Sequence, residues 1–254
     1  MLRKITSSEP LVIKSNEDIE NLAEKILVKR GFSPAERSVF LNASMDDMAE
    51  PESLYGISDA AERIKYAADN GEGVIVIGDY DVDGITSAYI LSDGLKKLGV
   101  NILYTHIPDR YKEGYGLNAE TLEILAENFY PDLIITVDCG ITAVSEVEFL
   151  KSIGIDVIVT DHHTPGETLP DCITVNPKIC GYPTDLSGAG VAYKLIESLD
   201  KKIAADYLEF AALSTISDLM PLTGENRIIV KHGLKKMAGT ENIGLKTLIT
   251  SLKI

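Results

Sequence analysis

Tryptophan is absent, and all aromatic residues together make up 6% of the 254 residues. The chain therefore has few rings on which the bases of a long single strand could stack. Lys and Arg number 24 against 39 Asp and Glu, a formal net charge of −15. That balance excludes a broad electropositive face that grips duplex DNA by counterion release. Only three cysteines occur, Cys139, Cys172 and Cys180, with no close-pair metal spacing. Their odd count fits a reducing compartment, and a cytoplasmic location is expected. No apolar run reaches the length of a membrane span, and the first residues, Met-Leu-Arg-Lys-Ile-Thr, lack the apolar core of a signal segment. No membrane partner is expected. Internal repeats and low-complexity tracts are also missing.

What is present is concentrated in residues 74–84, Val-Ile-Val-Ile-Gly-Asp-Tyr-Asp-Val-Asp-Gly. The β-branched run reads as a strand buried on both faces. It ends in Asp79, Asp81 and Asp83. Open α/β sheets place ligands at this end of their strands. If the chain stays extended, alternate carboxylates point the same way about 6.6 Å apart. That spacing suits a pair of ions about 3.5–4 Å apart better than a single ion. A solvated acidic turn is the other reading of this triplet taken alone.

The rest of the chain alternates. Helical periodicity covers 16–30, a short helix opens at Ser33-Pro34, and 51–58 reads as a loop. A helix at 59–69 leads into the 74–77 strand. Then come a helix from Ile85 to Leu98, a strand at 101–105, a polar loop at 108–116, a helix at 118–128 and a strand at 133–137. A helix at 142–152, a strand at 156–160, a short strand at 173–175 and helices at 189–199 and 203–216 follow. A Pro/Gly turn at 221–224 leads to a helical tail. This order predicts an α/β fold, a doubly wound and mostly parallel sheet with an N-terminal helical lead-in. Expected domains are the lead-in at 1–58, a catalytic domain at 59–220 and a helical linker at 221–254.

Three of the strands end in chemistry. Beyond the aspartates at 79–83, the 133–137 strand gives Asp138, and the 156–160 strand gives Asp161, His162 and His163. In a parallel sheet these ends share one edge, so their convergence follows from the fold. Carboxylates and neutral imidazoles are suitable ligands for Mn²⁺ or Mg²⁺. Of two adjacent histidines, one is expected to coordinate and the other to face a substrate. Arg110 lies in a Gly- and Tyr-containing loop, where its fork could grip a phosphate. Ser187-Gly188-Ala189-Gly190 precedes a helix, whose amides could cradle another.

The Gly-Asp-Tyr-Asp-Val-Asp-Gly turn at 78–84, Thr-Val-Asp-Cys-Gly-Ile-Thr at 136–142 and Asp-His-His at 161–163 together resemble the first three motifs of the DHH phosphoesterase superfamily. Within it, the chain is similar to the RecJ-type single-strand-specific exonucleases. Residues 107–116, 186–191 and 216–227 point to that branch, and the resemblance covers about 55–250.

The resemblance implies a Rossmann-like catalytic domain that hydrolyses phosphodiester bonds with two ions, Mn²⁺ or Mg²⁺, and releases 5′-mononucleotides from a single-stranded 5′ end. Carried over by position, Asp81 binds one metal and Asp83 the other, Asp138 bridges both, and His162 and Asp218 complete the set. His163 and Arg110 face the scissile or neighbouring phosphate, and Asp161 belongs with the catalytic group; Tyr115, Ser187, Gly188 and Gly190 are the further substrate-binding candidates read from the residues themselves. Some branches carry a His four residues before the first metal-binding Asp, where this chain has Ile77. Asp79 is the candidate to replace it. Family exonucleases continue into a second, DHHA1-type domain, whereas this chain stops at Ile254. Two other readings stay open: a phosphodiesterase for short oligonucleotides or cyclic dinucleotides, and a non-catalytic, replication-associated scaffold subunit.

Overall fold

The computed structural model describes residues 15–252; the first fourteen residues of the expected lead-in lie outside them. The chain divides into two compact units, one up to Ala43 and one from Ser44. The first contains helices α1 (Asn16–Lys29) and α2 (Pro34–Asn42). Residues 44–58 and 221–252 belong to the same unit as 59–220.

The larger unit is built on five parallel strands: β1 (Gly73–Ile77), β2 (Asn101–His106), β3 (Leu133–Val137), β4 (Asp156–Thr160) and β5 (Ile173–Val175). Their order is β2-β1-β3-β4-β5. The strand order reverses between β1 and β3, the switch point where doubly wound folds of this order place ligands. β1 and β3 are buried along their whole length. Alternate residues feed two cores. Val74, Val76, Leu133, Ile135 and Val137 face one; Ile75, Ile77, Ile134, Val157 and Val159 face the other.

The first core is covered by helices α3 (Ile57–Asn70), α4 (Val82–Lys97), α7 (Gly188–Leu199) and α9 (Leu208–Ser217). The second lies under α5 (Ala119–Phe129) and α6 (Val144–Ser152). Each fully buried aliphatic side chain in these layers is worth about 1.5–3 kcal/mol. The doubly wound sheet expected from the alternation is therefore the one that forms. Among the described residues no helix is long and apolar enough to cross a membrane.

Local chemistry moves several boundaries. The helix expected from Ile85 begins at Val82, because Asp81 is its N-cap and accepts from the Gly84 amide at 2.9 Å. The three aspartates thus do not lie on one extended segment. Asp79 follows the strand, Asp81 caps the helix, and Asp83 sits in its first turn. Gly84 is needed because a Cβ there would stand 2.4 Å from the Asp79 carbonyl oxygen. The helix expected at 203–216 is divided. A short α8 (Lys201–Ala204) is capped by Asp200, a 3₁₀ turn covers Ala205–Tyr207, and α9 follows. The tail forms α10 (Gly224–Met237) and α11 (Ile243–Leu252).

A buried ion pair ties the segment before α3 to α7 and α10. Lys194 is fully buried; its Nζ donates to the Ala49 carbonyl at 2.6 Å and lies 3.0 Å from Glu225 Oε1. Glu225 also accepts from the Ala49 amide and the Tyr182 hydroxyl.

Candidate metal centre

Everything that follows β1, β3 and β4 meets at the switch point. Asp138 directly follows β3 and is 2% exposed. Its φ of +60° is a left-handed conformation that costs a non-glycine residue energy, the kind of strain that collects at functional sites. Leu219, next to Asp218 at the end of α9, is strained likewise at φ +55°.

Three carboxylates surround one imidazole nitrogen. His162 Nε2 lies 3.1 Å from Asp138 Oδ1, 3.6 Å from Asp83 Oδ2 and 3.7 Å from Asp218 Oδ2. Donor atoms of Asp83, His162 and Asp218 all fall within 4.8 Å of one another, and so do those of Asp79, Asp81 and Asp138. A third such group is Asp138, His162 and His163. Asp81 and Asp83 thus serve different groups, with Asp138 between them. Asp79 belongs to one of these groups, while Ile77 is buried in the core.

Two features make these groups fit divalent cations. Buried Asp79 Oδ1 and Asp138 Oδ1 have no hydrogen-bond partner, a costly arrangement unless something else satisfies them. The charges are also uncompensated. Burial first, and then Asp83 and Asp81, push the Asp138 carboxyl up to about 7, against the pull of His162. Burial also raises Asp79 and Asp218. Burial opposes the imidazolium of His162, but Asp138, Asp83 and Asp218 outweigh it and push that group up to about 9. A dication would relieve all four. His162 Nδ1 is without a partner too, so packing and the carboxylates around Nε2 hold the ring.

Asp161, expected with the catalytic group, has its carboxylate engaged by neighbouring donors. Its Oδ1 accepts from the amides of His162 and His163 and contacts His163 Nδ1 at 2.8 Å, while Oδ2 accepts from the Ile141 amide. Burial works against the Asp161 carboxylate, but these contacts hold it below the usual range. It holds the backbone of both histidines and the ring of His163.

The phosphate cradle expected at Ser187, Gly188 and Gly190 is overturned. The amides of Gly188 and Ala189 are taken by the two oxygens of Asp83, each at 2.7 Å, and the Gly190 amide donates to Ser187 Oγ. All four residues are buried. The N-terminus of α7 binds an anion, but the anion is the chain's own carboxylate. Ser214, on α9, donates a further short hydrogen bond to Asp83 Oδ1. Sequence reasoning passed over Ser214, although it precedes Asp218 by four residues and so shares its helix face.

The residues expected to face a substrate, His163, Tyr115 and Arg110, are partly or fully exposed. Tyr115 Oη is 3.3 Å from His163 Nδ1, and the rings meet edge to face. Arg110 is exposed and stacks its guanidinium 5.2 Å from the centre of the Tyr80 ring. Their loop is anchored by Glu113, which accepts from the Asp109 amide and Thr121 Oγ1, both at 2.7 Å, and contacts His106 Nε2 at 2.8 Å. That anchor was not legible in the sequence. A cleft of about 500 Å³, within the range of small-ligand sites, opens beside His163, between Tyr115 and Gly140-Ile141-Thr142.

Residues 73–215 match the DHH family, N-terminal domain. Over 236 residues the chain is 44% identical to the single-stranded-DNA-specific exonuclease RecJ of Bacillus subtilis, covering 91% of this chain and 30% of that protein. Identity to the protein of the same name from Thermus thermophilus is 40% over 203 residues, covering 77% and 30%. Among solved structures, the chain resembles exonuclease RecJ bound to manganese with a TM-score of 0.73 and 39% identity, covering 78% of this chain and 52% of that one. The Mn²⁺ complex of RecJ from Thermus thermophilus gives a TM-score of 0.76 at 35% identity, covering 90% and 33%. The chain spans about a third of the length of the curated relatives it matches.

Proposed function

The chain belongs to the DHH family, and from that premise we propose that it is the catalytic domain of a single-stranded-DNA exonuclease that hydrolyses phosphodiester bonds with two divalent ions, Mn²⁺ or Mg²⁺. The observation that carries the reading is the placement of Asp138 between two ligand groups, Asp79–Asp81 on one side and Asp83–His162–Asp218 on the other. Similarity to single-stranded-DNA-specific exonucleases, and to RecJ structures bound to manganese, supports it.

In this proposal Asp79, Asp81 and Asp138 would hold one ion, and Asp83, His162 and Asp218, with Asp138, would hold the other. Bound there, such ions acidify water and neutralise charge on phosphate oxygens. The chain's own residues do the rest. Asp161 fixes the orientation of the His163 imidazole and holds the His162 backbone. His163, half-buried beside the Tyr115 hydroxyl, faces the cleft and can donate a proton or hydrogen bond to a phosphate oxygen. Arg110 engages a neighbouring phosphate, where its fork matches two oxygens. The cleft beside His163 takes the nucleotide next to the scissile bond. Strand grip comes largely from a second, DHHA1-type domain, since this chain offers little basic or aromatic surface.

That same shortage favours a second reading with unchanged chemistry, in which the substrate is a short oligonucleotide. Comparing hydrolysis of a long single strand and of a dinucleotide with Mn²⁺ separates the two. The scaffold reading requires lost acids, and here the acid set is complete.

The test is Asp138→Ala. Both ions and all hydrolysis should be lost together, read by Mn²⁺ calorimetry and by nucleotide release. An Asp138→Ala protein that still holds two ions overturns the bridging role.

A further inference from the structure

Resting on that reading of the metal centre, we propose that Ser214 is a positioning residue that orients Asp83 so that only Oδ2 remains open to an ion. Asp83 is 2% exposed and meets donors on both oxygens. Oδ1 accepts from the Ala189 amide at 2.7 Å, from Ser214 Oγ, and from Ser87 Oγ at 3.3 Å. Oδ2 accepts only from the Gly188 amide, at 2.7 Å, and faces His162 Nε2 at 3.6 Å. An ionised carboxylate has about four acceptor positions, so Oδ1 is saturated and Oδ2 keeps one.

The hydroxyl protons have one consistent arrangement. Asp83 can only accept, so the single Ser214 hydrogen points at it. Ser214 Oγ is also 2.8 Å from Ser187 Oγ. With its own hydrogen committed, Ser214 accepts there and Ser187 donates. Ser187 in turn accepts from the Gly190 amide at 3.2 Å. A relay therefore runs from the N-terminus of α7 through Ser187 and Ser214 to Asp83. It carries the positive end of the helix dipole to a buried carboxylate. All of it stands among protein groups alone, so Asp83 meets an ion already turned.

The other ligand group has no such clamp. Asp79 Oδ1 lacks a hydrogen bond, Asp138 Oδ1 meets only the imidazoles of His162 and His163, and Asp81 is exposed, tied only to the Gly84 amide. Ser214 therefore acts on one ion site of the two. This separates positioning from a general effect on folding, which would move both sites.

Calorimetric titration of the chain with Mn²⁺ tests the proposal. Ser214→Ala should weaken one class of site by about tenfold or more and leave the other within about twofold, since groups behind a ligand typically govern affinity on that scale. Ser187→Ala, which keeps the Ser214 hydroxyl, should weaken the same class by a smaller factor and stands in should Ser214→Ala fail to fold. Ser92→Ala is the control: this buried serine on α4 bonds the Ala88 carbonyl and should change neither class. Unchanged Mn²⁺ affinities in Ser214→Ala, or equal losses in both classes, overturn the proposal alone. A native chain that binds no Mn²⁺ overturns the metal centre with it.

Discussion

Gly188 approaches Asp138 so closely that a Cβ built on it would stand 2.7 Å from both Cβ and Oδ1 of the aspartate. The start of α7 thus touches the residue between the two ligand groups, while its amides hold Asp83. Gly188→Ala should push Asp138 out of place. The expected cost in stability is about 1–3 kcal/mol, as for other overpacked sites. The expected loss in Mn²⁺ affinity is much larger than the stability change explains. Urea unfolding alongside Mn²⁺ titration checks this, and wild-type Mn²⁺ binding in the variant would remove Asp138 from the centre.

Ion binding should be proton-linked. Without metal, the acids around His162 outweigh its burial and push it up to about 9. An ion needs the neutral ring, so below that pH each binding event displaces a proton. Mn²⁺ affinity should therefore rise with pH through the neutral range and level off above about 9. At most this is about tenfold per pH unit for each proton displaced. Calorimetry in buffers of different ionisation enthalpy counts the protons released. His162→Gln should flatten the profile.

The 108–116 loop should govern substrate engagement rather than ion binding. Glu113→Ala removes the anchor shared by Asp109, Thr121 and His106, and lets Arg110 and Tyr115 drift. KM should rise by about tenfold, with Mn²⁺ affinity unchanged, because small misplacements of positioning groups are costly. Arg110→Ala should act the same way, and Glu113→Ala should add little to it. Steady-state kinetics on a short single strand checks both.

The Lys194–Glu225 pair should matter for stability only. Lys194→Met leaves Glu225 buried and without its cation, a change that typically costs about 3–5 kcal/mol. Urea denaturation should show that loss, while the folded variant keeps its Mn²⁺ sites.

The sheet was readable because β1, β3 and β4 are short, buried, β-branched runs, while the partly exposed β2 and the three-residue β5 also lie where strands were expected. The candidate ligand residues were readable because parallel strands bring their ends to one edge, so Asp79, Asp138 and His162 had to meet. What sequence could not give was where donors already find acceptors. The Gly-rich start of α7 has the composition of a phosphate cradle, yet Asp83, 105 residues earlier, occupies it. Asp161 carries the same charge as Asp138, but three backbone amides consume it. The expected extended Asp79–Asp83 segment failed for a local reason, since Asp81 is a good helix cap and Gly84 lets the turn close on Asp79.

Anomalous diffraction from crystals of this chain soaked in Mn²⁺ tests the central claim most directly. Two peaks should appear at the β1/β3 edge, one among Asp79, Asp81 and Asp138 and the other among Asp83, His162 and Asp218. Peaks elsewhere on the acidic surface, with none at that edge, would contradict it.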